Sequence, residues 1–454
     1  MTNIKVSITI TLKIIFLFSI FFLLFTTSFS ATVKFSDRIE EYVLPNNLKV
    51  ILLEDKRNPI IISSIWYKVG SSYEEKGITG ISHILEHMMF KGTEKTKSGE
   101  FSKIIKKLGG SENAFTGRDF TGYYQKVHKK YIEKCLEMES DRMTNLILRE
   151  DDFQKELNVV KEERRLRVED RPISKAFEKT LIQLFGYNGY GVPIVGTMDD
   201  LDNVKISDVK NWYDNFYSPD NAILILAGDF EKSNIKKLID KYFSKIKNSK
   251  TTLKFKNNEL NNLNFKKIEL KESISNPTVL ISFVQPKFNK NDRLEHYKME
   301  LLLELMDGGN SSRFTRNLVD KKKIAIETFI SFDTYPINKN IISIGGIPRT
   351  DISTEELKNE ILLQFQNIEQ EGISDREFES LKSRLIASNT FKFDSLFGQV
   401  MSIGVLESKG IGWNTLDYYL DDINKITKND LIDIAKKYFI NKSFIYTVIY
   451  PKES

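Results

Sequence analysis

Apolar residues along this 454-residue chain fall in short, dense runs separated by polar, lysine-rich stretches. "LKVILLED" (Leu48–Asp55) and "IIISSIWYKVG" (Ile60–Gly70) are rich in β-branched and aromatic residues and predict two strands. "AILILAGDF" (Ala222–Phe230) has the unbroken apolar pattern of a buried strand, and helical stretches alternate with short strands before it. "KSNIKKLIDKYFSKI" (Lys232–Ile246) predicts an amphipathic helix. The next stretch, "KNSKTTLKFKNNELNNLNFKK", is polar and rich in Asn and Lys, the composition of a linker that could include an edge strand.

The second half of the chain repeats the first. "SDVKNWYDNFYSPDNAILILAG" begins at Ser207, and "NDLIDIAKKYFINKSFIYTVIY" begins 222 positions later at Asn429. Each is a helix ending in an aromatic pair, then a polar turn and an apolar strand. A similar offset of 218 lays "LLLELMDGGNS" (Leu301–Ser311) over "HILEHMMFKGT" (His83–Thr93). Two matches at nearly one offset argue for duplication. The second copy keeps a glutamate, Glu304 for Glu86, and places Leu301 and Leu305 where the first copy has histidines.

The first thirty residues stand apart. Lys5 and Lys13 precede the apolar run "IIFLFSIFFLLF" (Ile14–Phe25), and small residues follow in "TTSFSA". This is the pattern of a secretory signal cleaved near Ser30–Ala31; the rival is an uncleaved membrane anchor. Either way the body of the protein is exported. The expected organisation is a signal segment (1–30), a first domain (31–247), a linker (248–270) and a second copy (271–454). A single cysteine, Cys135, rules out an intrachain disulfide, and its helical surroundings predict a buried structural thiol.

Composition narrows the class. Of the residues, 41% are hydrophobic and 28% charged, which describes a globular protein. The 67 basic and 62 acidic residues are interspersed, so the net charge of +5 reads as a solvated surface and nucleic-acid binding has no support.

The chemistry is concentrated in "HILEH". His83 and His87 are half of the four histidines in the chain and lie four positions apart, hence on one helix face about 5–6 Å apart at Cβ. Two imidazoles so placed can share one ion, and Zn²⁺ is the usual guest of imidazole plus carboxylate. Glu86, one position before His87, can reach a water at such an ion without competing as a ligand, the placement of a general base. A catalytic zinc needs a third protein ligand. His128 and His296 have no metal-like neighbours, and surface or core placement is the default for both. "DDFQKELNVVKEERRLRVEDRP" (Asp151–Pro172) offers Glu156 and Glu163, two helical turns apart on one face. On helix pattern alone an ordinary charged helix is the better reading of that stretch.

"HILEH" resembles the inverted zincin motif of the pitrilysin/insulinase family of zinc metallopeptidases. Members carry a glutamate ligand roughly seventy-five residues after the motif, and Glu163 lies 76 positions after His87. "ELNVVKEE" looks like the family's second motif, in which Glu163 binds the metal and Glu156 supports the site. "GGSENAFTGRDFTGYY" (Gly109–Tyr124) is similar to the family's substrate-pairing edge strand, with Asn113 and Ala114 at the matching positions. "GYGVPIVGTMDDL" and "NFYSPDNAILILAGDF" extend the resemblance through most of residues 35–245, and "LMDGGNSSRF" carries it more weakly into the second half.

The resemblance implies an α+β fold of two homologous domains, each an antiparallel sheet packed with helices, together forming a half-shell like the mitochondrial processing peptidase subunits and bacterial periplasmic zinc proteases. It implies one Zn²⁺ per chain on His83, His87 and Glu163, catalysis by Glu86 with support from Glu156, and a peptide or unfolded polypeptide substrate inside a closed chamber. It also implies a periplasmic location, membrane-bound only if the signal segment is retained. In one segment the chain departs from the pattern: where self-sufficient members have "LREKxGLAY", it has "LVDKKKIAI" (Leu318–Ile326), with Val319 at the arginine position and Ile326 at the tyrosine position. Arg313 does not replace them on this alignment. A paralogous partner supplying the Arg/Tyr pair is therefore expected. The rival function is a structural subunit of the same family that has lost catalysis; such relatives usually lose the motif that is intact here.

Overall fold

A computed structural model of the chain describes residues 34–249 and 266–452, and the expected signal segment lies outside them. Six strands form the first sheet: β1 (Ile39–Val43), β2 (Lys49–Glu54), β3 (Ile60–Tyr67), β4 (Ser111–Thr116), β5 (Thr121–His128) and β6 (Ala222–Gly228). Five form the second: β7 (Lys266–Glu272), β8 (Thr278–Gln285), β9 (Ala325–Ser331), β10 (Asn340–Pro348) and β11 (Ile445–Pro451). Helices fill the intervals, and among the described residues none is long and apolar enough to cross a membrane.

The spatial orders are β1-β2-β6-β3-β5-β4 and β7-β11-β8-β10-β9. Without β1 they are the same order, with β2 to β6 answering β7 to β11 in sequence. Each sheet has one parallel pair, β2 with β6 and β7 with β11; its other pairs are antiparallel. β3 and β8 are offset by 218 positions, and helices Ile206–Phe216 and Lys428–Tyr438 by 222, the spacings already visible in the sequence. The fold is thus α+β and internally duplicated. β7 begins inside the stretch expected as linker. Ile268 and Leu270 pack against apolar side chains of both halves, which gives this lysine-rich segment a reason to be strand.

Alternation along the strands decides what lies on each face. Val50, Leu52, Ile61, Ile65, Leu224 and Leu226 join a core with Ile81, Leu85, Met88 and Val209 from the helices of their own half. Ile62 and Trp66 face the other way and are equally buried. That second face is covered by helix Leu396–Ser408, which comes from the other half of the chain. Gly404 meets the Trp66 indole so closely that an added Cβ would lie 2.0 Å from Cε2. The exchange is reciprocal. Helix Pro172–Phe185 of the first half lies on the second sheet, where Ala176 packs with Leu280 and Ile449, and Leu181 and Leu184 with Ile341 and Ile445. Each sheet is therefore sealed on one side by the other half, and at about 25 cal/mol per Å² of apolar surface this mutual burial binds the two halves strongly.

Candidate metal centre

His83 and His87 sit on helix Ile81–Met88, whose apolar face (Ile81, Ile84, Leu85, Met88) is buried in the first core. The entry to this helix is fixed by Gly80 at φ +88°, where a side chain would strike Val195 O at 2.7 Å and the Gly196 backbone at 2.9 Å. No side chain of the N-cap residue caps the helix. Instead the fully buried carboxylate of Glu74 accepts bonds from the amides of Gly80 (2.6 Å) and Ser82 (2.9 Å). Burial pushes the Glu74 carboxyl up to about 8, against the lowering effect of these donors.

Facing it is helix Glu150–Arg164, held to the core by Phe153, Leu157 and Val160. Its end is anchored by buried Arg164, which donates to Gly196 O at 2.7 Å and pairs with Glu178 at 2.6 Å and Glu169 at 2.9 Å. Glu163 projects from this helix to the histidines. Glu163 Oε2 lies 3.4 Å from His83 Nε2, and Oε1 lies 3.9 Å from His87 Nε2. Glu162 points elsewhere and pairs with Arg165 on the surface.

These three residues are the one group of potential metal ligands found among the described residues, with one donor atom from each within 4.8 Å of the others. The 3.4 Å separation matches the edge of a tetrahedron with bonds of ~2.1 Å, and the 3.9 Å one needs only a small closure. Two further features suit a cation. Burial holds the His83 imidazole down to about 3, with His87 and Arg167 adding to the effect, so it is neutral at neutral pH and one of its ring nitrogens offers a lone pair. Glu163 Oε2 is buried without a well-directed hydrogen bond, although Arg167 Nη2 is 3.1 Å away. The residues present fit a zinc ion.

The supporting groups are equally specific. Glu156 Oε2 accepts from His87 Nδ1 at 2.9 Å, which leaves His87 Nε2 to face Glu163. The other Glu156 oxygen meets Lys91 Nζ at 2.5 Å. The His87 bond, then Lys91, hold Glu156 below the usual carboxylate range despite burial. Glu86 accepts from Thr116 Oγ1 at 2.5 Å, and burial raises its proton affinity more than Thr116 and His87 lower it. Thr116 ends β4, the outermost strand of the first sheet, so this bond ties Glu86 to the strand carrying Asn113 and Ala114. The Ala114 amide donates to Asn113 Oδ1 at 3.0 Å, a weak local partner on a free sheet edge. A cavity of about 430 Å³ joins His83, Glu86, His87 and Glu163 to Asn113, Ala114 and Phe115.

Sequence reasoning assigned no role to Thr116, Lys91, Arg167 or Glu74. Lys91 lies four positions after His87, just past the end of its helix, and Thr116 closes the "NAFT" match. The other two histidines are elsewhere: His128 is exposed beside Lys130, and His296 is buried against Pro286 O. Cys135 is buried, with its thiol pushed up to about 12 by burial.

Two imidazoles and a carboxylate thus converge beside a free strand edge in a duplicated α+β fold. Comparison with known proteins shows the family of the chain. Residues 49–197 match the model of the insulinase family (peptidase family M16), and residues 203–385 match that of the peptidase M16 inactive domain. Zinc protease PqqE of Helicobacter pylori is 31% identical over 349 residues, spanning 76% of this chain and 77% of that protein. An uncharacterized zinc protease of Bacillus subtilis, YmxG, is 25% identical over 406 residues, 88% and 96% of the two chains. A crystal structure of a protease from Helicobacter pylori superposes with a TM-score of 0.84 at 26% identity, covering 91% of this chain and 99% of that one. The chain belongs to the insulinase family, peptidase family M16.

Proposed function

We propose that this protein is a zinc-dependent endopeptidase that cleaves peptides or unfolded segments, exported as the sequence indicates, and acting as the metal-bearing subunit of a heterodimer. The observation that carries the reading is the convergence of His83, His87 and Glu163 beside Glu86. His83 Nε2, His87 Nε2 and a Glu163 oxygen would hold the ion. When bound, zinc supplies Lewis-acid chemistry, acidifying water and polarising a carbonyl.

The chain's own groups do the rest. Glu156 holds His87 in one tautomer and orientation. The free edge of β4 pairs with an extended substrate backbone, so recognition falls mainly on main-chain atoms and many sequences are accepted; Asn113 and Ala114 are the contact positions. Glu86, oriented by Thr116, takes a proton from the attacking water and delivers it to the leaving amine. Its raised proton affinity suits a group that must both accept and return a proton.

Support for a partner comes from the second copy. Ile326 is 45% exposed on β9, the free edge of the second sheet, and Val319 is half-buried nearby in sequence. Arg313 is buried and committed to Glu377 and Gly372 O, so it is unavailable to a substrate. A companion chain with Arg and Tyr at these positions would complete the grip, and two half-shells would enclose the substrate.

The experiment is Glu86→Gln in the purified native complex. Peptide hydrolysis is expected to fall by about a thousandfold while zinc stays near one per chain. Retained activity would remove Glu86 as the base. Zinc below ~0.2 per chain in the unmutated protein, purified without chelator, would favour a non-catalytic shell subunit.

A further inference from the structure

The second copy has its own version of the metal corner. Helix Arg293–Asp307 answers helix Ile81–Met88, and Leu305 stands in the place of His87. Helix Asp375–Asp394 answers helix Glu150–Arg164 as the second helix after its hairpin strands. Glu377 and Arg384 lie seven positions apart on it, as Glu156 and Glu163 do on theirs. On this helix Arg384 shares a cavity with Leu305, so a guanidinium stands on that side of the corner.

A cavity of about 370 Å³ opens here, and Leu305, Arg316, Arg376 and Arg384 line it together with Ser311 and Ser380. Its one carboxylate, Glu377, is already taken: Arg313 Nη2 approaches at 2.9 Å and Arg316 Nη2 at 3.0 Å. Among the described residues Arg376 has no ion-pair partner, and Arg384 bonds only the Ser311 hydroxyl. Two guanidiniums thus face one cavity with no anion to satisfy them, presenting the planar donor forks that suit bidentate oxyanion recognition. Leu305, 2% exposed, offers an apolar wall beside them.

We propose that this corner binds the free C-terminal carboxylate of a peptide, with the carboxylate on Arg376 and Arg384 and the last side chain toward Leu305. The choice of a peptide as the carrier of that carboxylate rests on the peptidase reading above. The duplicated shell would then hold a cation site in one copy and an anion site in the other, and short peptides would gain affinity from their free end.

The test is isothermal titration of the full-length, metal-free protein with acetyl-Ala-Ala-Leu and with its C-terminal amide. Without metal the first-copy ligands cannot recruit the carboxylate through an ion. Saturable binding of the acid is expected, with the amide at least about tenfold weaker, and Arg376→Ala/Arg384→Ala is expected to weaken the acid by at least about tenfold. Arg376 is exposed, so Arg376→Ala alone is expected to fold normally and to show part of the loss. Equal binding of acid and amide, or a double variant that binds the acid as the parent does, overturns the proposal. So does inorganic pyrophosphate binding at least about tenfold more tightly than the peptide acid, which would make the cavity a polyphosphate site. Failure of the peptidase reading appears separately, as absence of hydrolysis by the zinc-loaded protein.

Discussion

The two copies share five strands in one order, yet equivalent helix pairs present opposite chemistry. In the first, His83, His87 and Glu163 converge; in the second, Leu301 and Leu305 are buried and Arg384 shares a cavity with Leu305. The sheets and the exchanged helices are indifferent to this, because the differing side chains lie where two helices face each other. The architecture fixes where a corner exists, and three or four side chains decide whether it welcomes a cation. The match of residues 203–385 to a domain model described as inactive fits that division.

The sharpest way to break the comparison is to exchange its key residues. His83→Ala is expected to lower zinc affinity by more than about a thousandfold, read as metal per chain after dialysis. Leu301→His with Leu305→His is not expected to add zinc, because Arg384 rather than a carboxylate stands opposite. That double change is expected to cost about 3–5 kcal/mol of stability by placing imidazoles in an apolar site. A second equivalent of bound zinc would refute the equivalence of the two corners.

The helix entries differ as well. Glu74 is buried under the first helix, whereas Asp292, 218 positions on, is exposed at the start of the second. The folded protein raises Glu74 to about 8, so the folded state holds this proton more tightly than the unfolded chain. The resulting stability is complete below the ordinary carboxylate range and is lost as pH rises through about 8. The parent is therefore expected to lose on the order of 3 kcal/mol of stability relative to Glu74→Gln between pH 5 and 9, measured by urea unfolding. Asp292→Asn is expected to stay within about 0.5 kcal/mol of the parent at both.

Smaller effects sharpen the picture. Glu156→Ala is expected to weaken zinc binding by about 10- to 100-fold, since His87 would lose its fixed tautomer. Gly404→Ala is expected to lower stability by about 1–2 kcal/mol, as the gain in helix propensity only partly offsets the clash with Trp66. An unchanged melting temperature for Gly404→Ala would mean that the exchanged helix is packed more loosely on the first sheet than the geometry indicates.

Much of this was legible in the residues themselves. His83, Glu86 and His87 stand out because a helix places positions four apart together whatever surrounds it. The duplication is visible because β3/β8 and the helices before β6 and β11 keep nearly constant offsets. Glu163 was different. Among Glu162, Arg164 and Arg165 its helix reads as a charged surface, and it was singled out by the resemblance and its spacing from His87.

What the sequence determined by itself is local: the strands, the histidine pair and its neighbouring carboxylate, and the repeat. Tertiary structure alone decided that Thr116 grips Glu86, that Glu156 rather than a nearer residue orients His87, and that each sheet borrows a helix from the other half. The reason is physical. Periodicity and spacing are fixed by the geometry of a single helix or strand, whereas these contacts join segments from 30 to more than 300 positions apart, and packing selects them only once both sheets have formed.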